Sequence, residues 1–139
     1  MTTPLRGVHV AVVGDDADAL EFLSATLRYH GALVTNHDSA RSVLRLMQLL
    51  RVSVVVVDLA EVTDVSLKLI RTVRGLPPDE GGRVPIIVLY AGPAAVEPRI
   101  VAEDVDSVIK KPVQATELAR TVAMVYAASS DAPPQEDDV

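Results

Sequence analysis

Cysteine is absent from the 139 residues, which excludes a disulfide scaffold, thiol catalysis and thiolate metal sites. The same absence fits a reducing compartment. No apolar stretch is long enough for a signal peptide or a membrane span, and the leading MTTPLRG carries one Arg straight into a short strand. The expectation is a cytoplasmic protein with no membrane partner. A clustered basic face is missing too, and a formal net charge of −6 argues against a nucleic-acid footprint. A glycine-rich phosphate loop is lacking: the turn after the first strand, VVGDDAD, holds one Gly, which sets aside a dinucleotide-binding enzyme.

The length suits one domain able to bury a core without staples. Part of the negative charge lies outside it. Asp131, Glu136, Asp137 and Asp138 sit in the ending SSDAPPQEDDV, which has no Lys or Arg. Residues 1–128 are expected to form the domain and 129–139 a disordered acidic tail or linker, because that segment is too polar to bury apolar surface.

The run VSVVVVDLAE, Val52 to Glu61, carries five valines before its first charge. A mostly β-branched run without polar alternation reads as a strand covered on both faces, as in a parallel sheet between helix layers. Other strands are Val8–Val13, Leu33–Asn36, PIIVLY from Pro85, and Ser107–Ile109. Helical spacing of Leu20, Leu23 and Leu27 leads to a C-cap at His30-Gly31. Ser39 caps a second helix with Val43, Leu44, Met47 and Leu50 on one face. Leu67, Ile70 and Val73 mark a third helix ending near Gly75. Pro93 and Pro98 confine the fourth to about Glu97–Glu103. The last runs from Thr116 to Ala128 with Leu118, Val122 and Val125 inward. Alternating strands and helices predict an α/β fold, a doubly wound five-stranded parallel sheet flanked by helices.

In such sheets the carboxyl ends of the strands face the ligand crevice. Three strand ends carry polar residues there: Asp15 and Asp16 after the first, Asp58 after the third, Lys111 after the fifth. Converging carboxylates repel unless a cation sits between them, and oxygen ligands with spare water positions suit Mg²⁺. A lysine opposite supplies a point charge for a phosphoryl group. The set describes a site for moving a phosphoryl group onto a carboxylate. Without metal the three carboxylates would crowd, so Asp58→Asn is expected to stabilise the protein. Taken singly, each residue has a plainer role: Asp15 or Asp16 as a helix N-cap, Asp58 as a turn residue, Lys-Lys-Pro as a surface turn. His9, His30 and His37 lack partners at metal-ligand spacing and read as structural or solvent-facing.

At VVGDDAD, VVVVDLAE and VIKKPV the sequence resembles the receiver domain of bacterial two-component response regulators, over about residues 7 to 128. The resemblance implies the flavodoxin-like receiver fold and a regulatory domain that accepts phosphoryl groups without being an enzyme in its own right. Asp58 would be the phosphoacceptor and Lys111 the partner of a phosphoryl oxygen. Asp15, Asp16, Asp58 and the Ala60 carbonyl would form the Mg²⁺ site, Asp15 being the direct ligand. A histidine kinase or phosphotransfer protein would supply the phosphoryl group, and a downstream protein would read it. Pro112 is expected to follow a cis peptide bond that turns Lys111 inward.

Several positions depart from the family pattern. Gly14 stands where the first acidic residue is usual, and Tyr90 replaces the Ser or Thr whose hydroxyl binds the phosphoryl group. Val108 replaces the aromatic three residues before the lysine. The loop LAEVTDVS lacks the usual Pro and Gly. Val108 leaves a void beside the fourth strand, so Tyr90 is expected to turn away from Asp58 and fill it. A haloacid-dehalogenase-type phosphatase would need an Asp where Ala60 stands. A flavodoxin-like carrier would find its phosphate repelled by the acidic turn. The remaining rival is a pseudo-receiver, the same fold used as a phosphorylation-independent docking module.

Overall fold

Five short strands carry most of the fully buried valine and isoleucine among the described residues, and helices carry most of the rest. A computed structural model describes residues 4–129. Along it run β1 (His9–Val13), α1 (Ala17–Tyr29), β2 (Leu33–His37), α2 (Ala40–Leu49), β3 (Val54–Leu59), α3 (Asp64–Arg74), β4 (Ile86–Tyr90), α4 (Glu97–Val101), β5 (Ser107–Lys110) and α5 (Ala115–Ala127). All pairings are parallel, in the order β2-β1-β3-β4-β5. The expected doubly wound sheet is the observed one. Of the expected tail 129–139, only Ser129 falls within the described residues.

Strand alternation sorts side chains onto two faces. Val55, Val57 and Leu59 of β3 join Val43 of α2, Leu67, Ile70 and Val73 of α3 and Ile100 of α4 in one core. Val54 and Val56 join Leu20, Leu23 and Leu27 of α1 and Leu118 and Val122 of α5 in the other. Both faces are covered, which is why β3 has no polar alternation. Caps follow from sequence: the Asp16, Ser39 and Thr63 side chains accept N-terminal amides of α1, α2 and α3.

Several element ends shift by a residue or two from expectation, and at two of them the structure supplies a physical reason. The third strand begins at Val54 and continues through Asp58 to Leu59, because β4 keeps pairing there, Asp58 opposite Leu89 and Leu59 opposite Tyr90. Ser53 instead exchanges bonds with His9, its hydroxyl accepting the His9 amide at 3.0 Å. Leu50, placed on the inward face of the second helix, is exposed: the backbone turns extended there and ends the helix. The fourth helix is a five-residue piece after a 3₁₀ turn at Ala94–Val96, as Pro93 and Pro98 require. No helix among the described residues is long and apolar enough to cross a membrane.

Candidate functional site

β3 delivers Asp58 to the carboxyl edge of the sheet while still paired on its β4 side. The residue is 5% exposed, so its charge needs a partner. Lys111 supplies it, Nζ lying 2.6 Å from Asp58 Oδ1, a short charge-assisted contact. Lys110 remains in β5 and exposed. Lys111 turns in just after the strand, its amide donating to the Tyr90 carbonyl at 2.7 Å and its peptide bond to Pro112 being cis, as the family resemblance implied.

Asp15 stands exposed one residue past Gly14, beyond the end of β1. The glycine is there for space. A Cβ at Gly14 would lie 3.1 Å from Asp58 Cβ and 3.2 Å from its carbonyl oxygen, so the strand ends approach more closely than a side chain comfortably allows. Asp15, Asp58 and Ala60 line one groove of about 960 Å³ that runs on between α2 and α3, past Ser39, Arg45 and Lys68.

Asp16 takes a different part from the one expected. Its Oδ1 accepts the amides of Asp18 and Ala19 at 3.0 and 3.2 Å, so it serves as the N-cap of α1. Among the described residues no three His, Cys, Asp or Glu side chains gather into a metal-binding group. Asp16, expected among the metal ligands, turns Oδ1 to its helix, while Asp15 and Asp58 line one groove. The reason is local: at the mouth of a helix, free amides lie within hydrogen-bond range of the side chain that precedes it. Two carboxylates and the Ala60 carbonyl still make an all-oxygen donor set. Mg²⁺ commonly binds through one or two carboxylates and keeps several waters, so the residues present fit it.

Tyr90 is turned away from Asp58. It has the strand parity of Ile86 and Val88, and its ring packs in the core that holds Ile100, with Val96 and Val108 against it. It is 1% exposed, and its hydroxyl donates to Glu97 Oε1 at 2.8 Å. That bond to a carboxylate, followed by burial, raises the phenol above its ordinary range. Alternation explains the direction: neighbouring Leu89, opposite Asp58, belongs to the other face.

Two participants escaped the reading of the sequence. Glu97 is the partner of Tyr90, and Arg99 reaches from α4 to the loop after Asp58, Nη1 lying 3.2 Å from the Val62 carbonyl and Nη2 3.2 Å from Asp64 Oδ1. Charged residues on a short helix carry no signal of their partners, and Arg99 and Val62 are far apart along the chain.

Chemically, the edge offers a buried carboxylate paired with a lysine and a second carboxylate lining the same groove. No family model matches the sequence, and no curated protein matches it. Solved structures do. The Francisella response regulator 1452 receiver domain aligns with a TM-score of 0.73 and 21% identity, covering 88% of this chain and 98% of its own. The chemotaxis response regulator CheY4 of Vibrio cholerae gives 0.71 and 22%, covering 85% and 98%. The receiver domain of the sensor histidine kinase PA1611 from Pseudomonas aeruginosa PAO1, with a magnesium ion coordinated in its active site cleft, gives 0.73 and 23%, covering 87% and 98%. Matched over nearly the whole of these domains, the chain has the fold of response-regulator receiver domains.

Proposed function

We propose that this protein is a signal-transduction receiver domain in which Asp58 accepts a phosphoryl group from a phosphohistidine on a histidine kinase or phosphotransfer protein. The observation that carries the reading is the buried Asp58 carboxylate held by Lys111 at 2.6 Å, at the strand edge shared with Asp15 and Ala60. In the transfer an Asp58 oxygen attacks phosphorus, the O–P bond forms as the N–P bond breaks, and the leaving imidazole takes a proton from solvent. Lys111 then moves from the carboxylate oxygen to a phosphoryl oxygen, offsetting charge that the acyl phosphate spreads over its oxygens.

Asp15, Asp58 and the Ala60 carbonyl are the residues that would hold Mg²⁺, which supplies charge neutralisation for an incoming phosphoryl group. Asp16 would act only by fixing the turn that bears Asp15. The domain is regulatory, its partners being a phosphodonor and a downstream protein, with neither nucleic acid nor membrane, and its place the cytoplasm.

A second reading is favoured by one observation. Tyr90 leaves the site without the strand-four hydroxyl and is bonded to Glu97 instead, as suits a pseudo-receiver that docks partners without phosphorylation. Incubation with Mg²⁺ and acetyl phosphate or phosphoramidate, followed by intact-mass measurement, separates the two. The expected result is the added mass of one phosphoryl group, lost in Asp58→Asn and on chelation of Mg²⁺. Absence of an adduct with either donor at millimolar Mg²⁺ leaves the docking module as the function.

A further inference from the structure

We infer that Arg99 is a strut that ties the state of the Asp58 site to the position of α4, in place of the hydroxyl and ring that Tyr90 and Val108 do not provide. The inference rests on the reading of Asp15, Asp58 and Ala60 as a cation and phosphoryl site.

The loop from Ala60 to Thr63 joins the end of β3 to α3. Ala60, at its start, lines the same groove as Asp58 and Asp15. Two residues on, the Val62 carbonyl is held by Arg99 Nη1, and Asp64, the first residue of α3, is held by Arg99 Nη2, both at 3.2 Å. One planar guanidinium thus spans the loop and the helix after it, and its stem belongs to α4. A ligand that fixes the Ala60 carbonyl constrains the peptide planes beside it, and the Val62 carbonyl passes the constraint to Arg99.

The other ties of α4 lead elsewhere. Glu97 holds Tyr90 at 2.8 Å, a contact on the face of the sheet opposite to that of Leu89, the strand partner of Asp58. Just beyond the helix, Glu103 meets Arg71 of α3 at 2.9 Å, and Arg71 in turn lies 3.6 Å from Asp64 Oδ1, so this tie ends on α3. Among the described residues, the bond from Arg99 to the Val62 carbonyl is the hydrogen bond by which α4 reaches the loop that carries Ala60. Coupling is reciprocal: if site occupancy biases α4 through Arg99, then Arg99 biases the loop toward the geometry that binds the cation. Arg99 is accordingly a positioning residue, and a conservative Arg99→Lys, with one point charge in place of two fixed donors, cannot hold Val62 and Asp64 together.

The test is a Mg²⁺ titration of the ¹⁵N-labelled full chain followed by amide shifts. In the wild type, shifts are expected at Asp15 and Ala60, at Val62 and Asp64, and at Arg99, Ile100 and Val101. In Arg99→Ala the shifts at Asp15 and Ala60 persist, those at Ile100 and Val101 vanish, and the Mg²⁺ dissociation constant rises about two- to fivefold, the range an exposed ion pair carries. Arg99→Lys falls between. Tyr90→Phe, which cuts the tie through Glu97, keeps the α4 response. Site shifts without an α4 response in the wild type, or an α4 response that survives Arg99→Ala, overturn the strut while sparing the site. No shift at Asp15 or Ala60 in any variant overturns the cation site and the strut with it.

Discussion

At the scale of single residues, Asp58 is a buried carboxylate held by Lys111 at the carboxyl edge of the sheet. Burying a carboxylate costs heavily unless it is paired, and the pairing seen here changes what a substitution does. Asp58→Asn was expected to relieve crowding among three carboxylates. With Asp16 capping α1 and Lys111 on Asp58, it keeps an acceptor for the lysine, so its effect on the denaturation midpoint should lie within about 1 kcal/mol. Lys111→Ala leaves the carboxylate unpaired and should cost about 2 kcal/mol, less than a fully buried pair because 27% of the lysine side chain is exposed to water. Chemical denaturation of both variants at neutral pH checks the contrast. Tyr90 gives a residue-level test of its own. Its phenol is raised from 10.0 by the Glu97 bond and by burial, so its contribution is complete below pH 10 and is lost as pH climbs through the folded-state value. Absorbance titration of the tyrosines should show one late phase, moved earlier in Glu97→Gln.

Among the elements, those held by side chains rather than by ladders are the most exposed to single changes. Arg74, at the end of α3, donates to the carbonyls of Asp104, Gly82 and Val84 at 2.7, 3.2 and 2.6 Å and to Asp106 Oδ1 at 2.7 Å. Asp106 in turn accepts the Ile86 amide at 2.8 Å, where β4 begins. One guanidinium thus joins α3, the turn before β4 and the approach to β5. Arg74→Ala should destabilise by about 2–3 kcal/mol, and Arg74→Lys should recover little, because an ammonium cannot reach four acceptors in a plane. Urea midpoints decide this.

The edge strand β2 carries a second such device. His37 is bonded through Nδ1 to Ser42 at 2.6 Å and through Nε2 to Thr35 at 2.9 Å, and Thr35 also meets His9. Burial, then the neighbouring His9, lowers its pKa from 6.5 against the opposing pull of Asp38. The unfolded chain therefore binds the proton more tightly, so the stabilisation is complete above pH 6.5 and falls as pH drops below it. The urea midpoint should decline from pH 7.5 to 5.5 in the wild type, with a shallower slope in His37→Asn.

At the scale of the whole molecule, a ligand that binds only the folded state stabilises it by mass action. Mg²⁺ at ten times its dissociation constant should add about 1.4 kcal/mol and raise the melting temperature, with no rise in an Asp15→Ala, Asp58→Ala double variant. Differential scanning fluorimetry with and without chelator measures it.

Much of this architecture was legible beforehand because it rests on local rules. The valine run before Asp58 can be stable only between two covered faces, so sheet type and layer order follow from composition along the strands. Ser39 as a cap, Gly75 as a helix end and the shortened fourth helix between Pro93 and Pro98 follow from backbone chemistry at each position. Asp58 and Lys111 were legible as one site because parallel strands bring their carboxyl ends together whatever lies between them. Tyr90 facing away was legible from the missing ring at Val108, since core volume has to be filled.

What only the tertiary structure decided are the choices among neighbours of equal chemistry. Asp15 and Asp16 are the same residue type one step apart, and it was the start of α1 that drew Asp16 into its cap and left Asp15 beside the groove. Lys110 and Lys111 differ only in which side of the strand end they leave. Arg99 and Arg74 find carbonyls and carboxylates distant along the chain, and a sequence states the charge of a side chain while the packed chain states what that charge can reach.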